Sequence, residues 1–331
     1  MPTHPLSLLH IPAILAVVCL SFALTTAQHD TTGGSTAGGG ALGGPTKPST
    51  KPTTKTPSRT TTPATRKPTA AGNPRRVVPK APTADSYVKQ GDEQYDEKNY
   101  ADALQSYLKA IQLNPSLAEA NYRIGWIYNE QNQYQQALTY LDRSLQLNSN
   151  NAAAHAERGY AYRKLKRYSE ALAAYQQAIA IKSDYASAFY DIGWIHNEQK
   201  NYDDAIPALR QAVRLKADYA DARTELGYAL HKIGRQSESV EEYKESIRLK
   251  PDMASSHFGL GDVYYGTKQY GLAVNSYNDG LRLDPNNADG RYNLALSYYA
   301  LNNRNAALEQ YRILQRIDPE RATKLFNAIN R

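Results

Sequence analysis

The chain has 331 residues, a net charge of +7 at pH 7 and a mean hydropathy of −0.64. Its single cysteine, Cys19, excludes a fold held together by disulfide bonds. The positive net charge raises the question of nucleic-acid binding, which depends on where that charge lies.

The N-terminal segment, 1–27, contains an apolar run over residues 6–24 that ends in small residues. This pattern is typical of a secretory signal peptide that is cut after Ala27, although no Lys or Arg precedes the run. Two alternatives stay open: the run is retained as a membrane anchor, which Pro12 disfavours, or it is neither. We therefore expect an exported protein (secreted, periplasmic or at the cell surface), anchored by 6–24 if the segment is retained.

Residues 28–83 are rich in Thr, Pro, Gly and Lys and contain almost nothing to bury. Such a composition cannot offset the entropy of ordering and predicts a disordered linker. The linker holds nine basic residues and one acidic residue, whereas the remaining chain holds 30 basic and 31 acidic residues. The positive charge thus belongs to the linker, which argues against a nucleic-acid partner. The linker is either a solvated spacer or associates with a membrane or an anionic cell-surface polymer.

From residue 84 onward the chain repeats every 34 residues. We call the equivalent positions of successive repeats a column, and one column is glycine. Inside a helix, glycine costs about 1 kcal/mol relative to Ala, so we expect a close approach between helices at this column. The column consists of Gly91, Gly125, Gly159, Gly193, Gly227 and Gly261, with Ala295 in the seventh position. A fixed period of this length predicts a stacked helical repeat protein. The predicted units are 84–117, 118–151, 152–185, 186–219, 220–253, 254–287 and 288–321.

Three further columns keep the same period: tyrosine from Tyr100, alanine from Ala103 and a large residue from Tyr107. This pattern resembles the tetratricopeptide repeat family, whose unit is a 34-residue helix–turn–helix. The resemblance implies an all-α, right-handed α-solenoid of seven units. After the last unit, Asp318 and Pro319 form a helix start, and residues 319–330 carry one apolar stripe. We predict that this tail, including 322–331, is a C-terminal capping helix.

The first helices of the units differ in a regular way on the face opposite their packing face. Segments 124–131 and 192–199 differ at one position in eight, and units three and five share another version, so the repeat has a two-unit superperiod. Units two and four present Tyr122, Trp126, Asn129 and Glu130, then Tyr190, Trp194, Asn197 and Glu198. Units three and five present Tyr160, Arg163 and Lys164, then Tyr228, His231 and Lys232.

In the family this face lines a concave groove that receives an extended peptide or a helix. The resemblance implies that these residues bind a partner, with the aromatic residues as anchors and the two asparagines as hydrogen-bond donors to its backbone. The alternative is that the tryptophans pack between neighbouring first helices and that Glu and Lys pair across units. The corresponding face of the first units shows Asp92, Tyr95 and Asp96, which argues against recognition of chaperone carboxylate tails. Gln236 and Ser239 break two columns in unit five and mark a candidate soft joint.

Motifs for catalysis are missing from the sequence. None of the seven histidines has a metal-ligand partner at helical spacing, and no Gly-rich phosphate loop or serine elbow occurs. We therefore predict no enzyme activity, no cofactor and no metal. The expected function is a scaffold that binds a protein or peptide partner outside the cytoplasm. The alternative is a structural envelope or assembly protein whose basic linker binds an anionic surface.

Overall fold

A computed structural model describes residues 81–330, where the chain forms fifteen α-helices and no strand. The predicted signal segment and residues 28–80 of the predicted linker lie outside the described residues. The first fourteen helices form seven helix–turn–helix units: α1 Ala84–Asp96 and α2 Tyr100–Leu113, α3 Ala118–Glu130 and α4 Tyr134–Leu147, α5 Ala152–Lys164 and α6 Tyr168–Ile181, α7 Ala186–Glu198 and α8 Tyr202–Leu215, α9 Ala220–Lys232 and α10 Gln236–Leu249, α11 Ala254–Gly266 and α12 Tyr270–Leu283, α13 Ala288–Ala300 and α14 Arg304–Ile317. The fifteenth helix, α15, spans Pro319–Ile329.

The turn inside each unit has one left-handed residue. In the first turn Lys98 has a φ of 62°, its N–H donates to the carbonyl of Tyr95, and the N–H of Asn99 donates to the carbonyl of Gln94. These two bonds define a Schellman motif, which satisfies carbonyl groups at the end of the first helix. Equivalent left-handed residues follow every 34 residues: Asn132, Lys166, Lys200, Gly234, Lys268 and Asn302.

The glycine column lies where the two helices of a unit cross. A Cβ built on Gly91 would lie 2.7 Å from the Tyr107 ring, and one on Gly125 would lie 2.6 Å from Cγ of Leu141. The large residue in the second helix therefore packs directly on the glycine backbone. The close approach expected from the sequence is confirmed, because no side chain larger than hydrogen fits without displacing the core.

The first helices line the inner surface of the solenoid. Consecutive first helices contact one another from α3 to α13, whereas consecutive second helices within 81–330 make no comparable contact. Closer spacing of the first helices places them on the concave side of a curved stack. The core lies between the two layers, where the alanine column beginning at Ala103 is fully buried.

The helix α15 covers the end of the stack. Its Ala322, Leu325 and Ile329 are buried against Ala295 and Leu314 of the last unit. The side chain of Asp318 caps this helix by accepting a hydrogen bond from the N–H of Arg321 at 2.9 Å. The predicted all-helical solenoid of seven units with a C-terminal cap is thus confirmed.

Candidate functional site

A column of four aromatic rings runs along the concave surface, one from each first helix of units two to five. We call Trp126, Tyr160, Trp194 and Tyr228 the aromatic ladder. Each ring meets, edge to face, the tyrosine that opens the second helix of the preceding unit. Ring-centroid distances run from 5.2 Å for Trp126 and Tyr100 to 6.3 Å for Trp194 and Tyr168. Four tyrosines of this repeat column therefore pack against the ladder.

The ladder rings are only partly covered. Trp126, Tyr160 and Trp194 are half-buried, and Tyr228 is 37% exposed. Trp126 also contacts Tyr95 of unit one at 4.9 Å. The packing expected of the tryptophans as one alternative is thus present, and each ring still shows part of its surface to the groove.

A second column links consecutive units through polar side chains 28 residues apart. The Asn129 side-chain N–H₂ donates to the Glu157 carboxylate at 2.8 Å and to its backbone carbonyl at 3.0 Å. Asn197 makes the same bonds to Glu225, at 2.8 and 3.1 Å. Both asparagines are buried, so their N–H groups serve the junction between units.

Between these two junctions, units three and four are joined by an ion pair. Arg163 lies 3.2 Å from Asp191 and stacks over the rings of Trp194, at 4.8 Å, and Tyr160, at 5.3 Å. Both side chains of the pair are mostly buried. Sequence reasoning chose Arg163 for ligand contact; the structure places it in an internal pair instead, with Asp191 as a partner that sequence reasoning missed.

Burial strongly changes the ionisation of these carboxyl groups. Burial raises the pKa of Glu157 to about 7, and the nearby charges of Glu130 and Asp191 add to the shift while the Asn129 bond opposes it. Burial also raises the pKa of Asp191 to about 6, against the opposing effect of Arg163. The pKa of Glu225 is raised for the same reason. The concave surface therefore holds carboxyl groups that titrate near neutral pH.

The rim of the groove carries alternating charges. Glu130, Lys164, Glu198 and Lys232 are all exposed at the ends of successive first helices. The ammonium of Lys164 lies 5.3 Å from the Tyr160 ring, and that of Lys232 lies 5.1 Å from the Tyr228 ring. No ion pair joins a glutamate of this column to a lysine of it within the described residues. These charges are therefore free to face a ligand.

Tyr122 and Tyr190 are half-buried at the start of their helices. Tyr190 packs on Tyr219, the last residue of the same unit, at a centroid distance of 5.1 Å. Burial raises the pKa of both hydroxyls further above neutral pH, where an ordinary tyrosine is already protonated and can donate a hydrogen bond.

Two cavities open on the concave surface at equivalent places two repeats apart. The first, of about 240 Å³, is lined by Glu157, Tyr160, Tyr175 and Asp191 among others. The second, of about 330 Å³, is lined by the equivalent Glu225, Tyr228, Tyr243 and Gly259, and extends to Asp262. Neither cavity was predicted from the sequence. The Asn–Glu pairs, whose members lie 28 residues apart, could have indicated the junctions between units that border the cavities.

Residues 81–330 contain no cluster of His, Cys, Asp or Glu side chains arranged to hold a metal ion. In the same part of the chain, no helix combines the length and the apolar character needed to cross a bilayer.

The fold defines a helical-repeat protein built from stacked helix–turn–helix units. Sequence models described as TPR repeat match residues 159–199 and 262–302, and models described as tetratricopeptide repeat match 88–152, 190–254 and 289–321. Together the matches run from residue 88 to 321 with two short gaps. The chain therefore belongs to the tetratricopeptide repeat family.

Solved structures agree with this fold. PilF of Pseudomonas aeruginosa is similar at 22% identity with a TM-score of 0.57, covering 64% of this chain and 96% of PilF. The C-terminal part of a TPR repeat-containing protein from Cytophaga hutchinsonii has 18% identity and a TM-score of 0.57, covering 72% and 98%. Cut9–Hcn1, a hetero-tetramer of the APC/C, has 18% identity and a TM-score of 0.58, covering 74% and 48%. The comparison with curated proteins gives no match.

Proposed function

We propose that this protein is a non-catalytic scaffold that binds a peptide or a helix of a partner protein along its concave surface. The aromatic ladder is the observation that carries the proposal. Its rings are partly exposed, and the neighbouring tyrosines already fix them, so little side-chain entropy remains to be lost on binding. Fixed aromatic rings of this kind are typical anchors of protein interfaces.

The alternating rim charges would set the direction and register of the ligand. Glu130 and Glu198 are exposed beside Trp126 and Trp194, while Lys164 and Lys232 are exposed beside tyrosines. A ligand with charges in the opposite order satisfies all four rim residues, and a shifted ligand meets like charges. The rim would therefore contribute specificity, and the rings most of the affinity.

The proposed place of action is outside the cytoplasm. The proposal depends on the apolar run 6–24 and on the small residues before residue 28. The basic linker would then hold the repeats at a distance from the membrane or cell surface.

The test is an exchange of the rim charges that leaves net charge unchanged: Glu130→Lys, Lys164→Glu, Glu198→Lys and Lys232→Glu in one protein. A matched control exchanges Glu241→Lys and Lys244→Glu, which are exposed on the second helix α10. Proximity labelling in the native host compares wild type with both variants, and circular dichroism checks that helicity is kept. We expect partners of the wild type to be lost in the rim variant and retained in the control.

An unchanged set of partners in the rim variant contradicts binding in the groove. Deletion of residues 28–83 tests the alternative in which the nine basic residues of the linker bind an anionic surface. If this deletion removes all partners while the rim exchange removes none, the protein acts through its linker, and the repeats only assemble.

A further inference from the structure

The two concave cavities differ in the side chains that border them. Beside the first cavity, the guanidinium of Arg163 pairs with Asp191, which lines that cavity, and stacks on Tyr160 and Trp194. The chain thus shows what environment a guanidinium takes at this place in the repeat: a carboxylate and two aromatic faces.

Two repeats later, the arginine is missing but acceptors remain. His231 stands in the place of Arg163, Gly259 in that of Asp191, and Asp262 in that of Trp194. His231 lines the cavity, and its Nδ1 lies 2.8 Å from Oε1 of Gln236, the residue that breaks the tyrosine column.

Tyr243 supplies the second observation. Its side chain is 2% exposed, and its ring end lies against Gly259, where a Cβ would collide with it. The hydroxyl of the equivalent Tyr277 donates to Asp262 at 2.7 Å, but that of Tyr243 hydrogen-bonds to no residue in 81–330. Tyr243 lines the cavity, so its hydroxyl is available to hydrogen-bond a ligand there.

The charged groups of the cavity favour a cation. Asp262 receives the hydrogen bonds of Tyr277 and Asn293 on the same oxygen, Oδ1, which leaves Oδ2 to accept another. Glu225 adds a second carboxyl group, whose pKa burial raises. Two further charges line the rim: Asp289, which pairs with Arg321 at 2.8 Å, and Lys232, which lies over the Tyr228 ring.

We propose that the cavity between units five and six binds an arginine side chain of the partner peptide, in place of the internal arginine that pairs with a lining carboxylate beside the equivalent cavity two repeats earlier. The planar guanidinium would donate to Asp262 and to the Tyr243 hydroxyl while one face stacks on Tyr228. A cavity of about 330 Å³ lies at the small end of ligand pockets and suits one side chain. This inference rests on the proposed binding along the concave surface and specifies the chemistry of the ligand.

The test uses the full chain and small probes, titrated by ligand-detected NMR. N-acetyl-arginine methylamide is compared with its neutral isostere, N-acetyl-citrulline methylamide, and with free arginine. We expect the arginine amide to bind at least about tenfold more tightly than the citrulline amide, because charge-assisted hydrogen bonds are lost in the latter. Equal binding of the two amides overturns the proposal. Tighter binding of free arginine by about tenfold also overturns it, because the site would then read a free amino acid.

Two variants locate the site. His231→Arg restores the internal arginine, so we expect binding to fall about tenfold or more while the thermal midpoint does not fall. Asp262→Asn keeps an oxygen for Tyr277 and should also weaken binding of the arginine amide by about tenfold. The control is Lys244→Glu on α10, which should bind as wild type does. Wild-type affinity in both site variants overturns the proposal.

The two proposals fail separately. If the arginine amide does not bind while the rim exchange still removes partners, the groove remains and only the arginine site is wrong. If the arginine amide binds as expected while the rim exchange leaves partners unchanged, the cavity remains and binding along the groove is wrong.

Discussion

The carboxyl groups between first helices determine how single residues respond to pH. Glu157 keeps one hydrogen bond from Asn129 but faces the charges of Glu130 and Asp191. Asp191 forms an ion pair with Arg163, whereas Glu157 has no cation paired with it within the described residues. Glu157 is therefore the carboxyl group whose ionisation opposes folding most directly.

We predict that Glu157→Gln makes the protein more stable at pH 8 than wild type. The folded-state pKa of Glu157 is about 7 against 4.5 for the free side chain, so the folded state binds a proton more tightly than the unfolded state. The stability that this tighter proton binding gives the folded state is fully present below pH 4.5. It is lost as the pH rises through 7. This loss is about 1–3 kcal/mol for wild type and is missing in the glutamine variant.

Urea unfolding at several values between pH 4.5 and pH 8 measures this difference, since only the variant minus wild-type comparison isolates one group. Glu241→Gln, at an exposed position on α10, is the control and should leave the pH slope of wild type nearly unchanged. A Glu157→Gln protein with the same pH slope as wild type contradicts the prediction.

At the scale of one element, the turn between helices carries strain that most units do not relieve. Six of the seven left-handed turn positions hold Lys or Asn, and unit five holds Gly234. A left-handed residue with a Cβ costs about 1–2 kcal/mol, less for Asn because its side chain can hydrogen-bond locally. Glycine is the usual residue at this position of a Schellman motif.

We predict that Lys166→Gly stabilises the protein by about 1 kcal/mol and that Gly234→Ala destabilises it by about 1–2 kcal/mol. Asn132→Gly is the internal comparison and should gain less than Lys166→Gly. Lys166 and Asn132 have nearly equal φ angles, 58° and 59°, so the difference between these two variants reports residue type. Urea midpoints measure the ranking, and a destabilised Lys166→Gly protein would refute it.

The helices could be predicted from sequence because each column repeats with the same spacing. The glycine and large-residue columns fix where two helices cross, and this crossing is the same in units one to six. Lys166 could not be assigned a left-handed conformation from its residue type, since lysine does not favour it. Its alignment with Gly234 was the available signal.

The groove was predicted less completely than the fold. The sequence placed Trp126 and Trp194 on one face of their helices, and in the structure both contact tyrosines of the preceding unit. It did not indicate which residues of the next unit meet Asn129 or Arg163. Such a contact depends on the rotation between units, which periodicity within one unit does not encode.

On the scale of the whole molecule, stability is carried from unit to unit by junctions of different chemistry. Units two and three are joined by Asn129 and Glu157, units three and four by Arg163 and Asp191, and units four and five by a second Asn–Glu pair. At the next junction the pair is replaced by His231 and Gly259, and the larger cavity opens there. The solenoid is therefore regular in shape but not in the polar contacts between its units.

A stack of this kind also depends on its last element, because no further unit covers the final apolar face. Leu325 of α15 is fully buried against the last unit, while the neighbouring Lys324 is exposed. Burying a charge at Leu325 without a partner is costly, and the helix can avoid that cost only by leaving the stack. Its departure exposes Leu314 and Ala295, which are otherwise buried.

We therefore predict that Leu325→Asp destabilises the protein by about 3 kcal/mol or more and promotes association through the uncovered face. Lys324→Asp, one residue away on the solvent side, is the matched control and should change stability by less than about 1 kcal/mol. Thermal unfolding measures the first effect, and light scattering after size-exclusion chromatography measures the second. A Leu325→Asp protein that stays monomeric with a wild-type midpoint would show that α15 does not close the solenoid, and the cap would have to lie elsewhere.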